Sequence, residues 1–452
     1  MIPVLTPEEM KKVDAAASEP VDVLIGRAGA AVARVALDML GGAYGRRVVV
    51  IAGKGNNGAD GRAAAARLER RGVRTRVVDA ADALPVVPPC YLVVDAAYGT
   101  GFRGHYDAPD AGGAPVLSVD IPSGVDGLTG EAPDDAVQAD VTVTFAALKP
   151  GLLLSPGAER CGRVELVDIG LDVAGATAHL VEATDVRSWL PDRTPDAHKW
   201  RSAVWVVAGS RGMTGAADLC ARAAMRAGAG MVRLGVPGLE EPAPPLEVVG
   251  RTLPAGGWDR EVLDELDRFR SLLVGPGLGR TEATRVAVRA LVAAAPVPVI
   301  VDADGLFALG DADTAAEVIA PRRHPTVLTP HEGEFAGLAG DPPGPDRIGS
   351  VRALARRTGA AVLLKGSTTV VAAPDGRVLL ENEGDARLAT AGTGDVLSGV
   401  VAAFLAQGLG APEAAAAAAF VHATAGHLGW RRGLVAGDLV DLLPAALSRL
   451  DP

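Results

Sequence analysis

The chain has 452 residues, 48% of them hydrophobic and 4% aromatic, with a formal net charge of −11, a length that suits two or three domains. An acidic chain with no basic block is a poor candidate for sequence-independent nucleic-acid binding. Cys90, Cys161 and Cys220 stand far apart with no C-x-x-C, which argues against a zinc site and a disulfide framework. With no secretory leader or membrane span in the pattern, a cytoplasmic protein that meets neither nucleic acid nor membrane is expected.

In chain order, Thr6-Pro7-Glu8-Glu9 opens a helix, with Thr6 as cap and Glu9 completing a capping box. Short apolar runs rich in Val, Ile and Leu then alternate with Ala-rich helical stretches. This pattern predicts an α/β protein with parallel sheets covered by helices on both faces. The first half offers strands at 47–52, 74–79, 91–96, 115–121 and 141–146. The loop after the first, Gly53-Lys54-Gly55-Asn56-Asn57-Gly58-Ala59-Asp60-Gly61, contains G-x-G-x-x-G. Asp79 follows about 20 residues later, as in a dinucleotide fingerprint. Asn56, Asn57 and Asp60 do not belong to that fingerprint. They add acceptor oxygens where a pyrophosphate wants donors, and suit a ribose hydroxyl, an amide or a monovalent cation. Two more loops follow strands, Asp95–Gly104 and Asp120-Ile121-Pro122-Ser123-Gly124. In a parallel sheet all three lie on the carboxyl edge, where ligands bind. Asn57, Asp95 and Ser123 then offer oxygens to one hard cation. One carboxylate among neutral oxygens favours a large monovalent ion over magnesium, and Asp120 is left to act on substrate. Taken singly, each strand-end Asp is more often a turn or helix cap.

Leu190-Pro191-Asp192-Arg193-Thr194-Pro195-Asp196 is Pro-rich and polar. With it, a domain boundary is placed near Ala178. The second half offers strands at 203–208, 230–236, 271–275, 297–302, 326–329, 360–365 and 369–373. Gly392-Thr393-Gly394-Asp395 then leads into an apolar helix. Backbone N–H groups at such a helix start form an anion site. A carboxylate beside it suits chemistry in which a hydroxyl loses its proton as a phosphoryl group arrives. The plainer reading of Asp395 is a first-turn acid that suits the helix dipole. Asp302 and Asp304 suit a water-bound magnesium or simply end a strand. His331 stands in a polar loop with no second ligand at metal spacing, which favours a substrate contact.

Gly53–Gly61, Gly99–Gly104, Asp120–Gly124 and Phe145–Gly151 together resemble the NAD(P)H-hydrate epimerase family over nearly all of residues 1–178. The resemblance implies that Asn56, Asn57, Gly58, Ala59 and Asp60 bind the hydrate. It implies the same of Gly99, Thr100, Gly101, Phe102, Arg103, Gly104 and His105. It places potassium at Asn57, Asp95 and Ser123, and makes Asp120 the acid–base residue at the nicotinamide. Residues 179–452 resemble the ribokinase-like NAD(P)H-hydrate dehydratase family. The matching pieces include Gly209–Ala216, Gly275-Pro276-Gly277-Leu278-Gly279, Asp302-Ala303-Asp304, Thr329–Glu334, Lys365–Thr369 and Gly392–Asp395. That resemblance implies hydrate contacts from Ala216, Gly277, Gly279, His331 and Asp395, and nucleotide contacts from Lys365, Gly366, Ser367, Thr368, Thr369 and Gly394. Asp395 is its catalytic residue. Ala59 and Ala391 stand where Gly is common, and Asp385 where Asn is common.

The expected molecule is therefore two three-layer αβα domains, Rossmann-like at the N-terminus and ribokinase-like at the C-terminus. The first epimerises hydrated NADH and NADPH. The second dehydrates the S hydrate with ADP as phosphoryl donor and magnesium. Its expected partners are these small molecules and further copies of itself in a homo-oligomer. Three other readings rest on fewer residues: an NAD-dependent dehydrogenase on Gly53–Gly58 and Asp79, a vitamin or sugar kinase on Gly392–Asp395, and a nucleotide-sensing module for the N-terminal half.

Overall fold

The computed structural model describes residues 1–83, 85–192, 195–239 and 244–451. Arg193 and Thr194 of the Pro-rich run lie outside these residues. The chain divides into two compact units, one of Ile2–Ala178 and one running from His179 onward.

In the N-terminal unit Thr6 caps the helix Pro7–Ala15, and the capping box with Glu9 forms. A six-stranded sheet runs in the order Arg74–Asp79, Arg47–Ala52, Leu92–Ala96, Val116–Val119, Val141–Phe145, Arg163–Val167, and every pair is parallel. The last strand was not foreseen, because its residues are only partly buried and its sequence carries Arg163 and Glu165. Arg47–Ala52 has a neighbour on each side whose connections leave in opposite directions. The loops after it and after Leu92–Ala96 therefore part at a topological switch point, where a crevice opens. Small residues let the layers close. A Cβ on Gly29 would stand 2.6 Å from Ala63 Cβ of the next helix, and one on Gly61 would stand 2.5 Å from Ala96 Cβ of the sheet.

In the C-terminal unit the sheet passes through Val378–Glu381, Thr369–Ala372, Ala361–Leu364, Thr326–Leu328, Val299–Val301, Ser271–Val274, Ala203–Val207, Met231–Pro237 and Val249–Leu253. It is parallel from Ala361–Leu364 onward. The expectation of parallel sheets is corrected at its other end, where Thr369–Ala372 pairs antiparallel with both neighbours. Lys365–Thr368 is too short for a crossover and can only turn the chain back. The helix Thr393–Ala406 is buried on nearly every face, as a core helix apolar all round should be. It lies tightly on Thr214–Arg226: a Cβ on Gly399 would come 2.4 Å from Cys220 O and 2.8 Å from Ala223 Cβ. Among the described residues no helix is long and apolar enough to cross a membrane.

Candidate active sites

The crevice of the N-terminal unit is a cavity of about 990 Å³. Asp120 enters it from the end of Val116–Val119 with φ +69, a left-handed conformation that is strained for a side chain of this kind. Its Oδ1 accepts hydrogen bonds from Lys149 Nζ at 2.6 Å and Thr144 Oγ1 at 3.3 Å. Lys149 is only 2% exposed. Its ammonium also donates to Thr144 Oγ1 at 2.8 Å and Phe145 O at 3.2 Å. Three acceptors satisfy all three of its donors, so the lysine holds Asp120 rather than reaching into solvent.

Other carboxyls surround this pair. Asp60, on the helix Asn56–Arg70, is buried against the cavity. Burial, then the nearby charges of Asp120 and Asp14, push it up to about 8. Asp14, on Pro7–Ala15, is raised by burial and by Asp120. Asp95 is 1% exposed. It accepts from Ser118 Oγ, Ser123 N and Ser123 Oγ at 3.0, 2.9 and 2.7 Å, and from Ala97 N at 3.3 Å. Burial raises it in spite of these bonds. Both amide atoms of Asn57 are buried without a hydrogen-bond partner. The orphaned amide fits a polar ligand or a weakly hydrated monovalent cation, while the oxygens of Asp95 and Ser123 are engaged with each other and would have to turn to join it.

In the C-terminal unit, Asp395 sits in the first turn of Thr393–Ala406, after Gly392 at φ +89. Burial first, then the charge of Asp302, raise it to about 6, with Lys365 pulling the other way. Lys365 Nζ donates to Asp302 Oδ1 at 2.7 Å, and Ser398 Oγ to Asp302 Oδ2 at 2.6 Å. Burial lowers Lys365, but Asp302, Glu334 and Asp395 outweigh it and hold the ammonium above its usual range. A Cβ on Gly394 would lie 3.3 Å from that ammonium, so the helix start and the lysine frame one space. Asp304 accepts from Gly279 N at 2.9 Å and Arg280 Nε at 2.9 Å. With Asp302 and Asp304 both engaged, neither carboxylate fits a resident magnesium. Gly277, at φ +67, would bring a Cβ to 3.2 Å from Ala216 and 3.1 Å from Met213 O. This brings the Gly-Pro-Gly-Leu-Gly turn against the helix that carries Ala216. His331 caps Glu332–Ala339, its Nδ1 accepting from Gly333 N at 3.0 Å.

Among the residues singled out for the first site, Asn56, Asn57, Asp60, Gly99–Arg103 and Asp120 line the cavity. Gly58 does not, because its Cα faces Gly53 O, 1.9 Å from where a Cβ would stand. Ala59, Gly104 and His105 are also outside the lining, and His105 Nε2 meets Asp107 and Asp135 at 2.8 and 2.9 Å. Ser123 lies behind the cavity on Asp95, also holding Tyr98 N at 2.9 Å. In the second site Thr368 and Thr369 are buried, while Gly366 backs onto Arg347 and Ser367 O onto Gly384. Asp79, which suggested a dinucleotide fingerprint, accepts from Ala81 N at 3.0 Å and pairs with Arg62 at 3.6 Å. It is absent from the residues lining the cavity. The sequence reading passed over Asp14 and the role of Lys149. Met10 and Asp14, four apart on one helix face, carried a usable signal, and both line the cavity.

Fold and sites together define an α/β protein with a candidate acid–base constellation in each unit. Residues 204–447 match the family described as NAD(P)H-hydrate dehydratase, and residues 21–85 and 79–151 match the YjeF-related protein N-terminus. The chain is 42% identical to the bifunctional NAD(P)H-hydrate repair enzyme Nnr of Mycobacterium tuberculosis H37Rv, over 83% of this chain and 82% of that one. It is 37% identical to the enzyme of that name from Moorella thermoacetica, over 99% and 97%. A crystal structure of the ADP/ATP-dependent NAD(P)H-hydrate dehydratase from Bacillus subtilis, co-crystallised with ATP/Mg2+, aligns at TM-score 0.52 and 31% identity, covering 60% of this chain and 98% of that one. The chain belongs to the family of bifunctional NAD(P)H-hydrate repair enzymes.

Proposed function

We propose that the two sites divide the family's chemistry between them. The chain is a metabolite-repair enzyme that epimerises the R and S hydrates of NADH and NADPH and returns the S hydrate to the reduced cofactor. Epimerisation belongs to the cavity of Asp120, and nucleotide-dependent dehydration to the helix start of Asp395.

The observation that carries the second assignment is Asp395 held near neutrality beside Gly392–Gly394 and Lys365. A base that titrates near its working pH is well matched to proton transfer. Asp395 takes the proton of the hydrate's ring hydroxyl. The hydroxyl oxygen attacks the terminal phosphorus of ADP, and AMP leaves. The backbone N–H groups at the helix start and Lys365 hold the transferring phosphoryl. Phosphate then departs with its C–O electron pair as the ring nitrogen's lone pair moves in, and loss of a proton from the adjacent carbon restores the double bond. Asp302 and Asp304 are engaged elsewhere, so magnesium would be held by the nucleotide itself and would supply neutralisation of its phosphate charge. In the first site, potassium among Asn57, Asp95 and Ser123 would neutralise the buried Asp95 and fix the loops that carry Tyr98 and Asp120.

The test uses hydrate prepared by ageing NADH, with ADP and magnesium, followed by near-ultraviolet absorbance. Recovery of NADH from both epimers, in amounts that match AMP and phosphate released, is expected. Accumulation of a stable phosphorylated product would instead mark a small-molecule kinase.

A further inference from the structure

The cavity of the N-terminal unit holds a second carboxyl, Asp60, to which the family resemblance gives a substrate contact and no step in the chemistry. Asp60 lines the cavity and is 8% exposed. Among the described residues its side chain makes no hydrogen bond or ion pair, in contrast to Asp120, which is locked to Lys149. The charged groups that line the cavity around it come from every wall. Lys11 and Asp14 lie on the first helix, Glu19 precedes the second, Lys54 opens the glycine loop, Arg103 ends the 99–103 loop, and Asp120 and Lys149 form the floor. None of the basic ones pairs with Asp60.

From this arrangement we infer that Asp60 and Asp120 are the two proton-transfer groups of epimerisation, Asp60 the donor and Asp120 the acceptor. The inference rests on the epimerase reading given above. Water adds to an enamine at the carbon next to nitrogen, so the hydroxyl to be inverted is on a carbinolamine carbon. Asp60 gives its proton to that hydroxyl. The C–O bond breaks with its electron pair going to oxygen, and water leaves as the ring nitrogen's lone pair forms a C=N bond. A water then adds to the opposite face of the same carbon and gives its extra proton to Asp120. The ring gains and loses one water, and one proton has moved from Asp60 to Asp120. The reverse epimerisation moves it back, and exchange with solvent resets it otherwise. Two carboxyls in one cavity, one paired with a lysine and one unpaired, are what such a sequence needs. Lys149 Nζ donates to Asp120 Oδ1 at 2.6 Å and holds that oxygen in place. Burial and the like charges of Asp14 and Asp120 favour the neutral acid at Asp60.

The experiment measures epimerisation by full-length enzyme on purified R hydrate, against pH, for wild type, Asp60→Asn and Asp14→Asn. Wild-type kcat is expected to fall as pH rises through about 8, where Asp60 loses its proton. Asp60→Asn should lower kcat about 10²-fold or more with KM little changed, the weight of a positioned acid, and its alkaline limb should vanish. Asp14→Asn removes a like charge, so its limb should move to lower pH. That variant keeps the question decidable if Asp60→Asn fails to fold. An Asp60→Asn enzyme with near-normal kcat, or with only a raised KM, would overturn the inference, as would an Asp14→Asn limb that stays put. No epimerisation by wild type would overturn the epimerase reading itself.

Discussion

Each unit sets an aspartate beside a lysine at the carboxyl edge of parallel strands, yet the two wire the pair differently. In the N-terminal unit Lys149 bonds directly to Asp120 at 2.6 Å. In the C-terminal unit Lys365 bonds to Asp302 at 2.7 Å and leaves Asp395 to be raised by burial and by Asp302. A carboxylate locked to an ammonium is fixed in place. One that is merely near an ion pair keeps a tunable proton affinity and open lone pairs. The first wiring suits a base whose position must be held. The second suits a base that must accept a proton near neutrality and release it each turnover.

The largest test of this contrast exchanges each aspartate for its amide. Asp395→Asn should lose S-hydrate dehydration by roughly 10²–10⁴-fold and leave epimerisation intact. Asp120→Asn should do the reverse. Assays with each purified epimer read both, and a variant that damages both activities alike would merge the two sites. The next effect concerns the charge behind Asp120. Epimerisation should be faster in potassium than in sodium or choline, and Asp95→Ala should cost about 10²-fold, because small misplacements of catalytic groups are that expensive. Equal rates in the three salts would remove the cation from the site. A third test is acid titration of the dehydratase. Since Asp395 must be ionised to act as base, kcat/KM for S hydrate should fall about tenfold per pH unit below about 6. A flat profile down to pH 5 would assign the proton to another group. The smallest effect is expected from Gly394→Ala. The added Cβ would stand 3.3 Å from Lys365 Nζ, so the flexible lysine tip must give slightly. A few-fold rise in the KM for ADP is expected, with kcat near normal. Loss of kcat instead would mean that Asp395, not the nucleotide, feels the change.

Much of the fold was legible because its signals are local. Thr6 with Glu9, the glycines after strands, and the apolar runs all act within a few residues. Asp120 and Asp395 were legible as strand-end and helix-start acids for the same reason. Lys149 was within sight of Asp120 in sequence, but nothing local says that its ammonium turns inward. The bonds of Asp302 to Lys365 and Ser398 span 63 and 96 residues, and no pattern along the chain encodes such a meeting. The antiparallel strands Thr369–Ala372 and Val378–Glu381 show the opposite limit. The shortness of the Lys365–Thr368 link held that information, but the parallel pattern of its neighbours masked it. His105 was carried along with its loop, and its ring lies outside the cavity, against Asp107 and Asp135.

Gly399 joins the dehydratase site to the interior of its unit. With no side chain there, the helix that carries Asp395 in its first turn rests on the backbone of the helix that carries Ala216. The aim of the base is thus inherited from a close helix–helix contact in the core of its unit rather than from a loop of its own. Damage deep in this unit should therefore show first in turnover, while the melting curve still looks healthy. A selection for dehydratase activity would then report on interior packing more sensitively than a heat challenge does.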